Sequence, residues 1–314
     1  LTILNRDAKY DVTVTANSFS DTYDGTEKSV SGLVGETAQG VPVQADGRTY
    51  YVKGLTAHAT GTNVADSTVV PVEGIAQVVD ENNNDVSSEF KVTTVPGSLT
   101  INKRPVTLAS KDLSKEYDGT PLTNGDNELA TQDGWASGEG ATYRFTGSVT
   151  LPGATDPNAF EIVPNAGTNL DNYKVDKTEG TLRVTNRDAQ YEVTLTANSL
   201  SETYDGTTKS VSGFVGEENG AVAVQAGDQT YYVSGLTASA SGTNADTYQT
   251  VIEGTAVVAD AAGNAVTDQF NVNTIGGSLV IDKRPVTLQS ASDEKPYDGT
   301  PLENHAVDVT AGSW

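Results

Sequence analysis

Few residues in this chain have the type and spacing for chemistry. Histidine occurs twice, at His58 and His305, and the segment that repeats around His58 carries Ser239 in its place. A Ser-His-Asp relay or a histidine metal site thus lacks a recurring ligand, and His58 reads as a strand-surface residue. Glycoside hydrolysis needs only two carboxylates, but among 42 acidic residues no one pair stands out. No distinct catalytic module is visible, so the expectation is a non-enzyme without a cofactor. Calcium is the one candidate ion: Asp80-Glu81-Asn82-Asn83-Asn84-Asp85 is oxygen-rich. Its repeat, Asp260-Ala261-Ala262-Gly263-Asn264-Ala265, has lost most of the ligands, and a hairpin turn accounts for both versions. Trp135 and Trp314 stand in Gly/Asp-rich stretches, where a ring either stacks on a sugar or, the preferred reading, packs into its own core. Lys28 and Lys209, with Asn63 and Asn244, offer the partners of an intramolecular isopeptide bond, which also needs a buried carboxylate that the sequence does not place.

The elements that position such residues are organised around one tetrapeptide. Tyr-Asp-Gly-Thr stands at Tyr23, Asp24, Gly25, Thr26; at Tyr117, Asp118, Gly119, Thr120; at Tyr204, Asp205, Gly206, Thr207; and from Tyr297 to Thr300. Successive tyrosines are 94, 87 and 93 residues apart, the length of one small domain. Asp bonds its own backbone and Gly accepts positive φ, so Asp-Gly makes a turn, while Tyr can bury its ring and keep its hydroxyl partnered. The preferred reading is a structural turn that every module makes; a repeated ligand contact is the alternative.

Composition sets the limits. The 314 residues hold no cysteine, so disulfides and thiolate metal sites are excluded and core packing or another crosslink must hold the modules. Methionine is absent too, and the opening Leu1-Thr2-Ile3 reads as the last strand of a preceding module. A net charge of −23 opposes phosphate backbones and anionic membrane surfaces, which excludes nucleic acid as a partner. No apolar run approaches the roughly 20 residues that span a bilayer.

Strand patterning is plain. Tyr10, Val12, Val14 and Ala16 alternate with Asp11, Thr13 and Thr15, and the pattern returns at Tyr191, Val193, Leu195 and Ala197. A second strand, Thr49 to Gly54, is answered by Thr142 to Gly147 and Thr230 to Gly235. Modules close on an aromatic-x-Val strand (Phe90, Tyr173, Phe270) followed by Gly-Ser/Thr-Leu-x-Ile/Val at Gly97, Gly180 and Gly277, as the last two strands of a sandwich of seven strands or so. Two kinds of module alternate. Residues 1–4 are the tail of an earlier module, 5–102 and 186–282 are type A, 103–185 are a shorter type B, and 283–314 repeat only the opening of type B. The fold class is all-β, read as tandem β-sandwich modules arranged end to end as an elongated rod.

With the signature, the closing Gly-Thr-Leu-x-Val and the recurring Lys-Arg-Pro-Val-Thr-Leu at Lys103 and Lys283, the chain resembles the bacterial Ig-like repeats called MBG or YDG domains. The resemblance covers all modules. It implies an Ig-like sandwich in a large bacterial surface protein, extracellular and cell-wall attached, with no catalytic residues. Type A departs from the pattern in having Asn-Arg-Asp for Lys-Arg-Pro and extra residues around 69–89. The function implied is a stalk that projects a distal binding region; the alternative is that the repeats themselves bind host glycan, mucin or matrix protein through many weak contacts.

Junctions carry no Gly/Ser spacer, and Pro105 and Pro285 fix φ beside them. Each also carries an arginine: Arg6, Arg104, Arg187 and Arg284. If the first strand runs the length of its module, the signature turn lies beside the next junction. One hypothesis is that Tyr23 and Asp24 meet Arg104, Tyr117 and Asp118 meet Arg187, and Tyr204 and Asp205 meet Arg284; solvated arginines at a polar boundary are the preferred reading.

Overall fold

Alternation along Tyr10–Thr15 puts Val12 and Val14 into the core and leaves Asp11 and Thr13 outside, which makes this strand one face of a sandwich. The structure, a computed structural model, describes residues 7–312; segment 1–4, Arg6 and Trp314 lie outside the described residues. The described chain is all-β, and its helical turns are the short 3₁₀ segments Val64–Asp66, Ser87–Glu89, Leu170–Asn172 and Thr267–Gln269. It divides into two compact units. The first takes Leu1–Leu113, Thr123–Ser148 and Asp156–Leu182, the second Ser114–Leu122, Val149–Thr155 and Arg183–Trp314.

In the first unit Tyr10–Thr15 runs parallel to Phe90–Val95, and Phe19–Thr22 runs parallel to Gly97–Asn102, which Thr68–Val70 flanks antiparallel. The opposing sheet is built on a 14-residue strand, Arg48–Gly61, paired with Lys28–Ser31, Val41–Ala45 and Val72–Val79. Val14, Leu33, Val52, Val78, Phe90 and Leu99 close the core between them. Type A therefore has nine strands between Tyr10 and Asn102, more than the seven or so expected. The extra residues around 69–89 form the Val72–Val79 strand and its hairpin return.

The shared strand from Thr49 does not stop at Gly54. The pairing register shifts between Lys53 and Leu55, where Gly54 at φ +78° faces Gly74 at φ +103°, so the strand passes through a bulge. A Cβ on Gly54 would lie 2.4 Å from the Ile75 carbonyl, which explains why sequence reading took a bulge glycine for a strand end.

A second core in the same unit gathers Tyr23 and Ile101 with Val106, Leu108, Tyr143, Phe160 and Tyr173. Its sheets are Arg104–Ser110 between antiparallel Leu129–Asp133 and parallel Tyr173–Thr178, and the antiparallel pair Ala141–Phe145 and Phe160–Pro164.

The second unit repeats the first sandwich, with one added short strand at Glu217–Glu218. Tyr191–Thr196 is parallel to Phe270–Ile275, Leu200–Thr203 is parallel to Ser278–Asp282, and Gln229–Gly242 is the long central strand. Leu195, Phe214, Tyr231, Val233, Val258 and Phe270 are buried within it. Thr287–Ser290 and Val307–Ala311 form an antiparallel pair whose residues are all exposed.

Candidate functional site

The signature turns form by local chemistry. Gly25, Gly119, Gly206 and Gly299 have φ of +82°, +81°, +82° and +77°, a region that costs a Cβ-bearing residue strain. One oxygen of Asp24 accepts the Thr26 amide at 2.8 Å and the Thr26 hydroxyl at 2.6 Å. Asp118 with Thr120 and Asp205 with Thr207 repeat the pattern. A lysine neutralises each carboxylate. In type A it comes four residues later, Lys28 and Lys209 both at 2.7 Å; in type B it comes three residues earlier, Lys115 on Asp118 at 2.7 Å. The cation thus arrives from opposite sides of the same turn. Hydrogen bonds from Lys28, then from Thr26, hold the Asp24 carboxyl well below the usual carboxylate range, and Lys209 does the same for Asp205. Burial opposes the shift at Asp118, but Lys115 and Thr120 still hold it down to about 2.

These pairs bear on the hypothesis that the junction arginines meet the signature aspartates. Among the described residues the ion-pair partners of Asp24, Asp118 and Asp205 are lysines, not the junction arginines. Lys28 and Lys209 bond the aspartates of these turns, while the Asn63 side chain accepts from Asn172 at 2.8 Å.

The turn lands beside the next junction because its first residue is tied to the last strand of its own module. The amide of Tyr23 donates to the Asn102 carbonyl at 2.9 Å, that of Tyr117 to Thr185 at 3.0 Å and that of Tyr204 to Asp282 at 2.8 Å. Parallel pairing of Phe19–Thr22 with Gly97–Asn102 produces this placement.

In the first unit Tyr23 then enters the type B core. It is 4% exposed, its ring meets Tyr173 edge-on at 5.5 Å, and its hydroxyl donates to Glu139. Tyr173 donates to the other Glu139 oxygen at 2.8 Å and accepts the Ala136 amide at 3.2 Å. Burial and then the Glu139 carboxylate push Tyr173 up to about 12 and raise Tyr23 likewise. Beside this clamp the buried Asn172 accepts the Val64 amide at 2.9 Å and donates to Asn63. Arg104 donates to the Gly134 carbonyl at 2.5 Å.

In the second unit Tyr117 is 1% exposed and lies against Tyr231, with ring centroids 6.4 Å apart. Among the described junction arginines Arg187 alone meets its signature residue, and it does so through the Tyr117 carbonyl at 3.1 Å. Its guanidinium also covers the Tyr191 ring at 4.0 Å, and its amide donates to the buried Gln269 at 2.9 Å. Tyr204 is 37% exposed, and Arg284 is exposed.

Sequence reading missed Glu139, Asn172, Gln269 and Lys115. A faint signal existed: an amide residue precedes the closing aromatic at Asn172 and Gln269, and Tyr173 carries a hydroxyl where Phe90 and Phe270 do not.

The remaining candidates have settled roles. Trp135 donates to the Tyr143 hydroxyl at 3.0 Å and packs on Tyr173 at 4.7 Å. His58 is exposed on its strand. Both Asp80 oxygens accept N–H groups of Asn82 and Asn84, and Asp260 is bonded in the same way by Ala262 and Asn264, so the loop is a hairpin turn in both copies. Among the described residues no group of three or more His, Cys, Asp and Glu is placed to hold a metal ion. No helix among them is long and apolar enough to cross a membrane.

Comparison with protein-family models finds no match, and no curated protein matches the chain. Among solved structures the chain is similar to the I9–I11 tandem of titin, at 8% identity and a TM-score of 0.19, covering 89% of this chain and 98% of that one.

Proposed function

We propose that these modules are spacer repeats of the MBG/YDG type in a bacterial surface adhesin, projecting a distal binding region from the cell wall as a stiff rod. The observation that carries the reading is Tyr23, a type A residue buried in the type B core and bonded there to Glu139. A side chain plugged into the next core resists bending at the junction in a way that a solvated linker does not. Stiffness without cysteine suits a chain held only by packing. The partners of each module in this reading are its neighbours, and no residue is assigned a catalytic role. The acidic surface keeps copies apart and away from nucleic acid.

Small-angle scattering of the full chain, with and without calcium, tests the proposal. At roughly 30–40 Å per module, a preset rod gives a maximum dimension of about 100 Å or more, the same with calcium or chelator. A compact or calcium-dependent profile overturns it.

A further inference from the structure

Asn-Gly occurs twice in the chain, at Asn124-Gly125 and Asn219-Gly220, and the two pairs stand in opposite surroundings. Asn124 is 8% exposed, and its side-chain amide donates to the Glu128 carbonyl at 3.1 Å. Asn219 and Gly220 are both exposed. They form the two-residue tip of a hairpin in which Glu218 pairs with Ala221 and Glu217 with Val222. Asn219 has φ +53° and Gly220 φ +80°, the left-handed pair of a type I′ turn. The strand Glu217–Glu218 is only two residues long and ends its sheet, so little holds the tip closed.

Asparagine followed by glycine is the pair best suited to ring closure on its own backbone. Glycine has no Cβ to block the approach of its nitrogen to the asparagine side-chain carbonyl, and a Cβ on Gly220 would meet nothing within 4 Å. Ladder bonds of such a hairpin tie the residues on either side of the tip, which leaves the Gly220 amide to water. The other pair is guarded: a Cβ on Gly125 would lie 3.0 Å from a Glu128 carboxylate oxygen, and Asn124 must leave its buried bond to react. Asn17 and Asn198, each followed by serine, are tied at 2.9 Å to the Ser31 and Ser212 carbonyls. In the first type A module Ala38-Gln39 stand where Asn219-Gly220 stand in the second, so the feature belongs to one copy.

We infer that the Asn219-Gly220 turn is a self-modification site, at which the chain converts its own side-chain amide to aspartate and isoaspartate. The Gly220 nitrogen gives its proton to water or hydroxide and bonds the Asn219 Cγ; the Cγ–Nδ2 bond breaks and ammonia leaves. Water then opens the succinimide at either carbonyl, one opening giving aspartate and the other isoaspartate, with an added methylene in the main chain. One water is consumed and one ammonia released, with no change of oxidation state. The new carboxylate joins Glu217 and Glu218 at the sheet edge, and the added methylene breaks the two-residue tip. The inference goes beyond the spacer reading, and failure of either leaves the other standing.

Peptide mapping by mass spectrometry, after the full chain has stood for weeks at neutral and at alkaline pH, tests this. The peptide holding Asn219 gains the amide-to-acid mass shift at least about 10-fold faster than the one holding Asn124, a ratio set by how readily each site opens. The gain is faster at alkaline pH, and fragmentation that separates the isomers finds isoaspartate beside aspartate, the mark of the succinimide. Gly220→Val, whose branched side chain shields the nitrogen, slows the gain by roughly 10-fold or more. No gain at Asn219, equal rates at Asn124 and Asn219, aspartate without isoaspartate, or an unchanged rate in Gly220→Val overturns the proposal.

Discussion

Two tyrosines at equivalent positions are buried to the same degree and satisfied to opposite degrees. Removing the Tyr23 hydroxyl takes a donor from Glu139, so Tyr23→Phe is expected to destabilise the first unit by about 1–3 kcal/mol. Tyr117→Phe removes a hydroxyl with no partner and is expected to change stability by no more than about 0.5 kcal/mol. Urea midpoints of the two variants decide; equal losses would show that the Glu139 bond contributes nothing. The turn carboxylates set the acid limit. Asp118 is held at about 2 when folded, against about 3.9 for a free aspartate, so its contribution is present above about pH 4 and is lost as pH falls toward 2. Asp24 and Asp205 are lowered too, and their contribution also fades below about pH 4. Thermal melts from pH 5 to 2 are expected to show this decline, and Asp118→Asn is expected to reduce it. A decline unchanged in that variant would place the acid sensitivity elsewhere.

At the level of elements, the closing glycines are fixed by close approach of backbones. A Cβ on Gly97 would sit 2.1 Å from the Asn17 carbonyl oxygen; on Gly277, 2.2 Å from Asn198; on Gly180, 2.4 Å from Lys111. Here the first strand bends from one sheet to the other and passes against the last strand, leaving no room for a side chain. Gly97→Ala is expected to cost about 1–3 kcal/mol by overpacking, read as a lowered urea midpoint. The bend also clarifies a limit of the sequence. Alternation at Val12 and Val14 gave the strand and its buried face, yet nothing in the pattern showed that Phe19–Thr22 would pair with the other sheet, since that depends on a partner about 80 residues away.

On the scale of the whole molecule, each unit contains a junction between module types. In the first, Ile101 and Tyr23 share one core with Val106 and Tyr143, so the module boundary at residues 102 and 103 is not a boundary in packing. In the second, Arg187 ties the Tyr117 carbonyl to the Tyr191 ring and Gln269. Inserting Gly-Ser-Gly-Ser between Asn102 and Lys103 is expected to withdraw Tyr23 from its core. Tyrosine nitration mapped by mass spectrometry then finds Tyr23 modified in the insertion variant and protected in the parent chain. Protection in both would mean that the contact survives without the short linker.

Sequence alone determined what depends on local chemistry: β structure from period-two alternation, turns from Asp-Gly, the A-B alternation from repeated segments, and the absence of a spacer. It also marked Tyr23, Tyr117 and Arg187 as junction residues. It did not reveal which groups they meet. The arginines were matched to aspartates by charge, but Lys28, Lys115 and Lys209 reach those carboxylates first because they sit within four residues along the chain. Glu139 lies 116 residues from Tyr23 and belongs to a loop that no periodicity marks. Only the tertiary structure could decide those partners, because parallel pairing of the first and last strands carries the signature turn to the end of its module, and the loop that receives it is shaped by a different core.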